Sequence, residues 1–124
     1  MDKIIPFFSM ENGINPKLLS HDAKVVDEYI NDPLVHSQIT ARAGMMVINR
    51  GQWILGHAKN YKKKMLVMVG SGEGIVNKEA IDQFCKNAPN ITYMVWPDFY
   101  HELHNEPGKN QVFDYSLNWL LMNI

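Results

Sequence analysis

Two short stretches of this 124-residue chain carry side chains suited to acid–base chemistry. The first, Trp96-Pro97-Asp98-Phe99-Tyr100-His101-Glu102-Leu103-His104-Asn105-Glu106-Pro107, follows an apolar strand-like run and precedes an amphipathic helix, so it puts His101 on a loop. The second, Gly70-Ser71-Gly72-Glu73-Gly74-Ile75-Val76, leaves the preceding strand-like run and offers the Glu73 carboxylate about one βαβ unit upstream. An imidazole titrates near neutrality and can shuttle a proton from a nucleophile to a leaving group. A carboxylate on its other nitrogen fixes the tautomer and stabilises the imidazolium. His101 and Glu73 are therefore the candidate base and its orienting acid.

Other chemistries fit these residues less well. Asp98 is the fallback acid, although its place directly after Pro97 suits a turn. His101 and His104 stand at i and i+3 beside a strand end, whereas a zinc-protease pair needs i and i+4 on a helix, so no metal site is expected. The glycine-rich loop lacks the G-K-[ST] ending and the G-x-G-x-x-G spacing of phosphate cradles, and its glutamate would repel phosphate, so no cofactor is expected either. Where a histidine base serves a serine nucleophile, one sequence signature of that serine is a G-x-S-x-G turn. None of Ser9, Ser20, Ser37, Ser71 or Ser116 lies in such a pattern, and no upstream glycine-rich run supplies an oxyanion hole.

The elements that must position the two loops are readable from periodicity. Met65 to Val69 is a continuous apolar run, as expected of a strand covered on both faces. A helix from about Lys78 to Ala88, capped by Asn77, and a strand from Ile91 to Trp96 follow it, which predicts a right-handed parallel crossover. Upstream, a helix through Asp22 to Ile30 stripes Val25, Val26, Tyr29 and Ile30, with Ser20 or Asp22 as cap and Asn31-Asp32-Pro33 as its stop. A longer helix is predicted from about Gln38 to Ala58 with Ile39, Ala43, Met46, Val47, Ile54 and Ala58 along one side. Gly44 and Gly51 weaken it, so a break near Asn49 to Gln52 is expected. The last helix, about Asn110 to Met122, stripes Phe113, Leu117, Leu120 and Leu121. Two buried-type parallel strands leave a sheet edge open, so either a separate N-terminal chain or further copies of this one must complete the sheet.

Composition narrows the function classes. A net charge of −1 and a pI near 6.5 provide no field for a polyanion, which argues against nucleic-acid binding, and Lys62-Lys63-Lys64 reads as a solvated flank of the next strand. The apolar opening, Met1 to Met10, is too short for a membrane span and is broken by Pro6, so membrane contact is at most peripheral. The single cysteine, Cys85, excludes an internal disulfide and fits a reducing, cytoplasmic compartment; its spacing with Ala80, Ile81, Phe84 and Ala88 makes it a packing residue.

The two loops together resemble the C-terminal portion of an α/β-hydrolase of the monoacylglycerol lipase and lysophospholipase (serine aminopeptidase-like) branch. In that family an acid sits in a G-S-x-D-x-I-V loop and a histidine in a loop resembling the H-E-x-x-N-E-P of His101 to Pro107. Asn12-Gly13-Ile14, Leu18-Leu19-Ser20-His21-Asp22, Val25-Val26, Tyr29 and Asn31 to His36 resemble the stretch leading out of the cap in these enzymes. The resemblance implies one α/β domain, with residues 1–37 cap-derived and 38–124 belonging to the hydrolase core. It also implies His101 as base, Glu73 as an acid in place of the branch's usual aspartate, Glu106-Pro107 as orienting the histidine loop, and a lipid-like ester as substrate. The function expected is the acid-and-base part of a serine ester hydrolase, inert alone; the alternative is a non-catalytic module that binds a partner through its open sheet edge.

Overall fold

A parallel pair of strands carries both loops in the computed structural model, which describes residues 8–123. In chain order the elements are β1 (Ser9–Glu11), α1 (Ala23–Asn31), β2 (Gln38–Thr40), α2 (Ala41–His57), β3 (Met65–Gly70), α3 (Lys78–Asn87), β4 (Ile91–Trp96) and α4 (Lys109–Asn123), with short 3-10 turns between some of them. β3 and β4 pair parallel from Met65 opposite Ile91 to Gly70 opposite Trp96. Because the strands finish in step, the loops that follow them start side by side.

Local chemistry explains why these residues fold as they do. The Asn77 side chain accepts from Ala80 N–H at 2.7 Å and starts α3. Asp22 accepts from Lys24 N–H at 2.9 Å and starts α1, while the extended conformation of Asp32 ahead of Pro33 stops it. The Tyr93 hydroxyl donates to Asp82 and ties β4 to α3, while Lys78 Nζ, 2.9 Å from the same carboxylate within α3, completes the acceptor's partners. Trp119 Nε1–H donates to Thr92 Oγ1 at 2.8 Å and holds α4 against the other face of that strand. The core between them is Trp96, Leu103 and Val112, packed by Met68, Met94, Phe99 and Tyr115. Cys85 is half-buried, and both desolvation and nearby Asp82 raise its thiol pKa, which suits a packing role.

Several expectations need correction. The residues Gln38–Thr40 are not helical: they pair antiparallel with Ser9–Glu11, a ladder the sequence reading lacks, and Thr40 Oγ1 then caps α2. α2 runs unbroken across Gly44 and Gly51, because its other residues and its packing on α3 offset a glycine cost of roughly 1 kcal/mol each. Met46 and Val47 point outward rather than joining the packed stripe, as does Ile30 of α1. β3 is only half-buried over Met65 to Met68, since a two-stranded sheet has too few neighbours to cover it.

The stripe on α4 exists but faces away from this chain's own core. Phe113, Leu117 and Leu121 are 52%, 55% and 65% exposed, whereas Val112 is the residue turned inward. Most of the apolar opening stretch, residues 1–7, lies outside the described residues. Among the described residues no helix is long and apolar enough to cross a membrane.

Candidate functional site

Glu73 and His101 meet above the ends of the two parallel strands. His101 Nδ1 lies 2.7 Å from Glu73 Oε2, and the Glu73 side chain is 3% exposed against 34% for His101. The other carboxylate oxygen, Oε1, accepts from Ile75 N–H at 2.7 Å and Val76 N–H at 3.0 Å, so its own loop closes around it. A carboxylate accepts only, which makes His101 Nδ1 the protonated nitrogen of that bond. Burial alone would raise the Glu73 pKa; the His101 hydrogen bond, the two backbone donors and the attraction to His101 outweigh it and hold the group below its ordinary value.

That direction has a consequence for stability. A carboxylate with a depressed folded-state pKa stabilises the fold fully above its unfolded value near 4.5, and that contribution is lost as pH falls through the folded value. Urea melts of the wild type and of Glu73→Gln should therefore differ at about pH 6 and draw together as the pH falls from 4.5 through the lower folded-state value. A gap that stays constant across this range would contradict the charged pairing.

The loops are built by close backbone approach. A side chain at Gly70 would overlap the Phe99 carbonyl, a Cβ at Gly72 would lie 2.7 Å from the Tyr100 ring, and one at Gly108 would lie 2.6 Å from the Phe99 ring. Ser71 Oγ accepts from Asp98 N–H at 2.8 Å, pinning one loop to the other. Asp98 itself sits at φ 57°, exposed in a turn, a left-handed conformation that aspartate tolerates better than most residues. It holds the turn, and Glu73 occupies the place beside His101 for which Asp98 was the fallback.

Sequence reasoning passed over the role of the N-terminal segment. His101 N–H and Glu102 N–H donate to the carbonyls of Leu18 and Leu19 at 3.2 and 2.8 Å. Ser20 Oγ donates to the Asn105 carbonyl at 3.0 Å, and a Cβ at Gly74 would lie 3.0 Å from Leu18 Cδ1. Residues 18 to 21 thus run between the acid loop and the histidine loop. His101 also lines a cavity of about 320 Å³ with Met68, Leu103, His104, Val112, Phe113 and Ser116. Among the described residues no three His, Cys, Asp or Glu side chains gather as a metal site would require.

A parallel strand pair followed in step by an acid loop and a histidine loop, closed by a C-terminal helix, is the C-terminal part of an α/β-hydrolase fold. The family description of serine aminopeptidases, S33, matches residues 1–108, and the chain belongs to that family. It is 30% identical over 94% of its length to an uncharacterized abhydrolase domain-containing protein of Dictyostelium discoideum, covering 13% of that protein. It is 26% identical over its whole length to the monoacylglycerol lipase of Mycolicibacterium smegmatis, covering 45% of it. The crystal structure of a monoacylglycerol lipase from Paleococcus ferrophilus superposes with a TM-score of 0.93 at 29% identity, over 99% of this chain and 49% of that one. The chain therefore spans less than half the length of each of these relatives.

Proposed function

We propose that this chain supplies the acid and the base of a serine carboxylic ester hydrolase acting on lipid-type esters, with monoacylglycerols as the leading candidates. The supporting observation is the 2.7 Å Glu73–His101 contact on adjacent loops in a chain of this family; the substrate class rests on the similarity to monoacylglycerol lipases. His101 Nε2 takes the proton of a serine hydroxyl as its oxygen attacks the ester carbonyl, and returns it to the departing alcohol; a water then repeats the sequence on the acyl-serine. Glu73 holds Nδ1–H throughout and stabilises the imidazolium. The serine and its oxyanion donors come from a G-x-S-x-G segment outside these 124 residues. That segment's part of the sheet adds to the open strand edge and covers the apolar stripe of α4.

The test is a fluorophosphonate label combined with a monoacylglycerol substrate. The chain alone should neither label nor turn over. Mixed or fused with an N-terminal hydrolase segment that carries G-x-S-x-G, it should do both. Turnover and labelling by that segment without this chain would refute the assignment of base and acid, and silence of the mixture would favour the partner-binding alternative. Labelling of this chain alone would overturn the account of the nucleophile.

A further inference from the structure

The structure holds a second histidine–carboxylate pair directly behind the first. Glu106 is 1% exposed, the most deeply buried large side chain among the described residues. Its Oε1 accepts from Tyr100 N–H at 2.6 Å, its Oε2 accepts from His21 N–H at 3.1 Å, and His21 Nδ1 lies 3.1 and 3.2 Å from the two oxygens. A buried carboxylate is expensive unless each oxygen finds donors, and here both do. The His21 ring in turn stacks on Tyr100, centroids 3.7 Å apart and planes at 21°.

Tyr100 connects this pair to the candidate site. Its ring lies between His21 and Gly72 of the acid loop, where a Cβ would come within 2.7 Å. Its backbone N–H belongs to the residue just before His101, whose own N–H is fixed by the Leu18 carbonyl. Two consecutive amides of the histidine loop are therefore anchored, one by Glu106 and one by the N-terminal segment, and the ring between them rests on the loop that carries Glu73. A shift of Tyr100 must move His101 against Glu73.

We propose that Glu106 and His21 form a positioning pair that sets the Glu73–His101 geometry through Tyr100. Neither residue handles the reaction's proton; they hold the loop that does, and so tie the N-terminal segment to catalytic competence. The proposal rests on the reading of Glu73 and His101 as acid and base. Catalytic groups need placement to within about 0.5 Å, and hydrogen bonds weaken steeply as alignment is lost, so a small loop displacement has a large effect.

The experiment observes the low-field NMR signal of the His101 Nδ1 proton in the full chain and its exchange with water. Glu73→Gln should abolish that signal, and a wild-type chain without it would remove the acid–base reading itself. With the signal present, Glu106→Gln should speed its exchange at least about tenfold, because the amide nitrogen turns a donor toward the His21 or Tyr100 N–H groups. His21→Phe keeps a ring over Tyr100 but loses the bond to Glu106, and should speed exchange by a smaller factor, about threefold. Phe84→Leu, a change on α3 outside the His101 cavity and used to lower the melting temperature by an amount similar to the His21 variant, should leave exchange near wild type. If exchange in Glu106→Gln and His21→Phe matches Phe84→Leu, Glu106 is only a structural anchor and the proposal fails; should Glu106→Gln not fold, the comparison of His21→Phe with Phe84→Leu decides it.

Discussion

Replacing His101 by alanine should lower ester turnover of the assembled enzyme by a factor of about 10⁴ or more, equivalent to about 5 kcal/mol of transition-state stabilisation. The loss is this large because no neighbour can take over the proton. Glu73 is occupied on one oxygen by two backbone N–H groups, and His104, although it lines the same cavity, follows His101 by three residues and makes no contact with Glu73 among the described hydrogen bonds. Folding should survive, since the anchor of residue 101 is its backbone N–H on Leu18, which alanine keeps. What the variant leaves behind is a buried carboxylate with one donor fewer, costing about 1 to 3 kcal/mol. The measurement is kcat and fluorophosphonate labelling rate side by side with a melting curve. A loss of under tenfold with an intact melt would remove His101 from the proposed mechanism, and a loss that tracks unfolding would assign it to stability instead.

What the sequence conveyed about this geometry depends on the range of the interactions involved. β3, α3 and β4 were legible almost to the residue, because a continuous apolar run, an asparagine cap and a second apolar run are local signals that fix local structure. β1 and β2 were not: Gln38-Ile39-Thr40 becomes a strand only by pairing with Ser9 to Glu11, a partner that no window around it contains. The α4 stripe shows the same limit in another form. Spacing told which residues share a face, but Val112, Tyr115 and Trp119 turn toward Trp96 and Thr92, leaving Phe113, Leu117 and Leu121 exposed. At the site, Glu73 and His101 were visible because each sits in a loop of recognisable composition. The roles of Leu18 and His21 were not, since the bond from His21 to Glu106 joins residues 85 apart; the only signal was that Leu18 to Asp22 belonged to a stretch resembling the family.

Replacing Glu73 by glutamine should be nearly as damaging as losing His101, with kcat down by about 10³ to 10⁴, although shape and volume hardly change. The reason lies in how the two oxygens are used. Oε1 faces Ile75 N–H and Val76 N–H, and only an oxygen can sit there, so the amide nitrogen of the variant is forced toward His101 Nδ1. An NH₂ in that place donates, which requires Nδ1 to be the bare acceptor and moves the imidazole proton to Nε2, the nitrogen that must receive a proton from the serine. Glu73→Asp separates this tautomer effect from a simple loss of reach. Its carboxylate is still an acceptor on both oxygens but is one methylene short, so it cannot hold the Ile75 and Val76 amides and His101 together. Activity should fall less than in the glutamine variant, by about 10- to 100-fold, through a contact that is weakened rather than reversed. An aspartate variant as inactive as the glutamine one would mean that distance rather than proton placement governs the pair, and a glutamine variant of near wild-type activity would mean that the base is oriented by some other group.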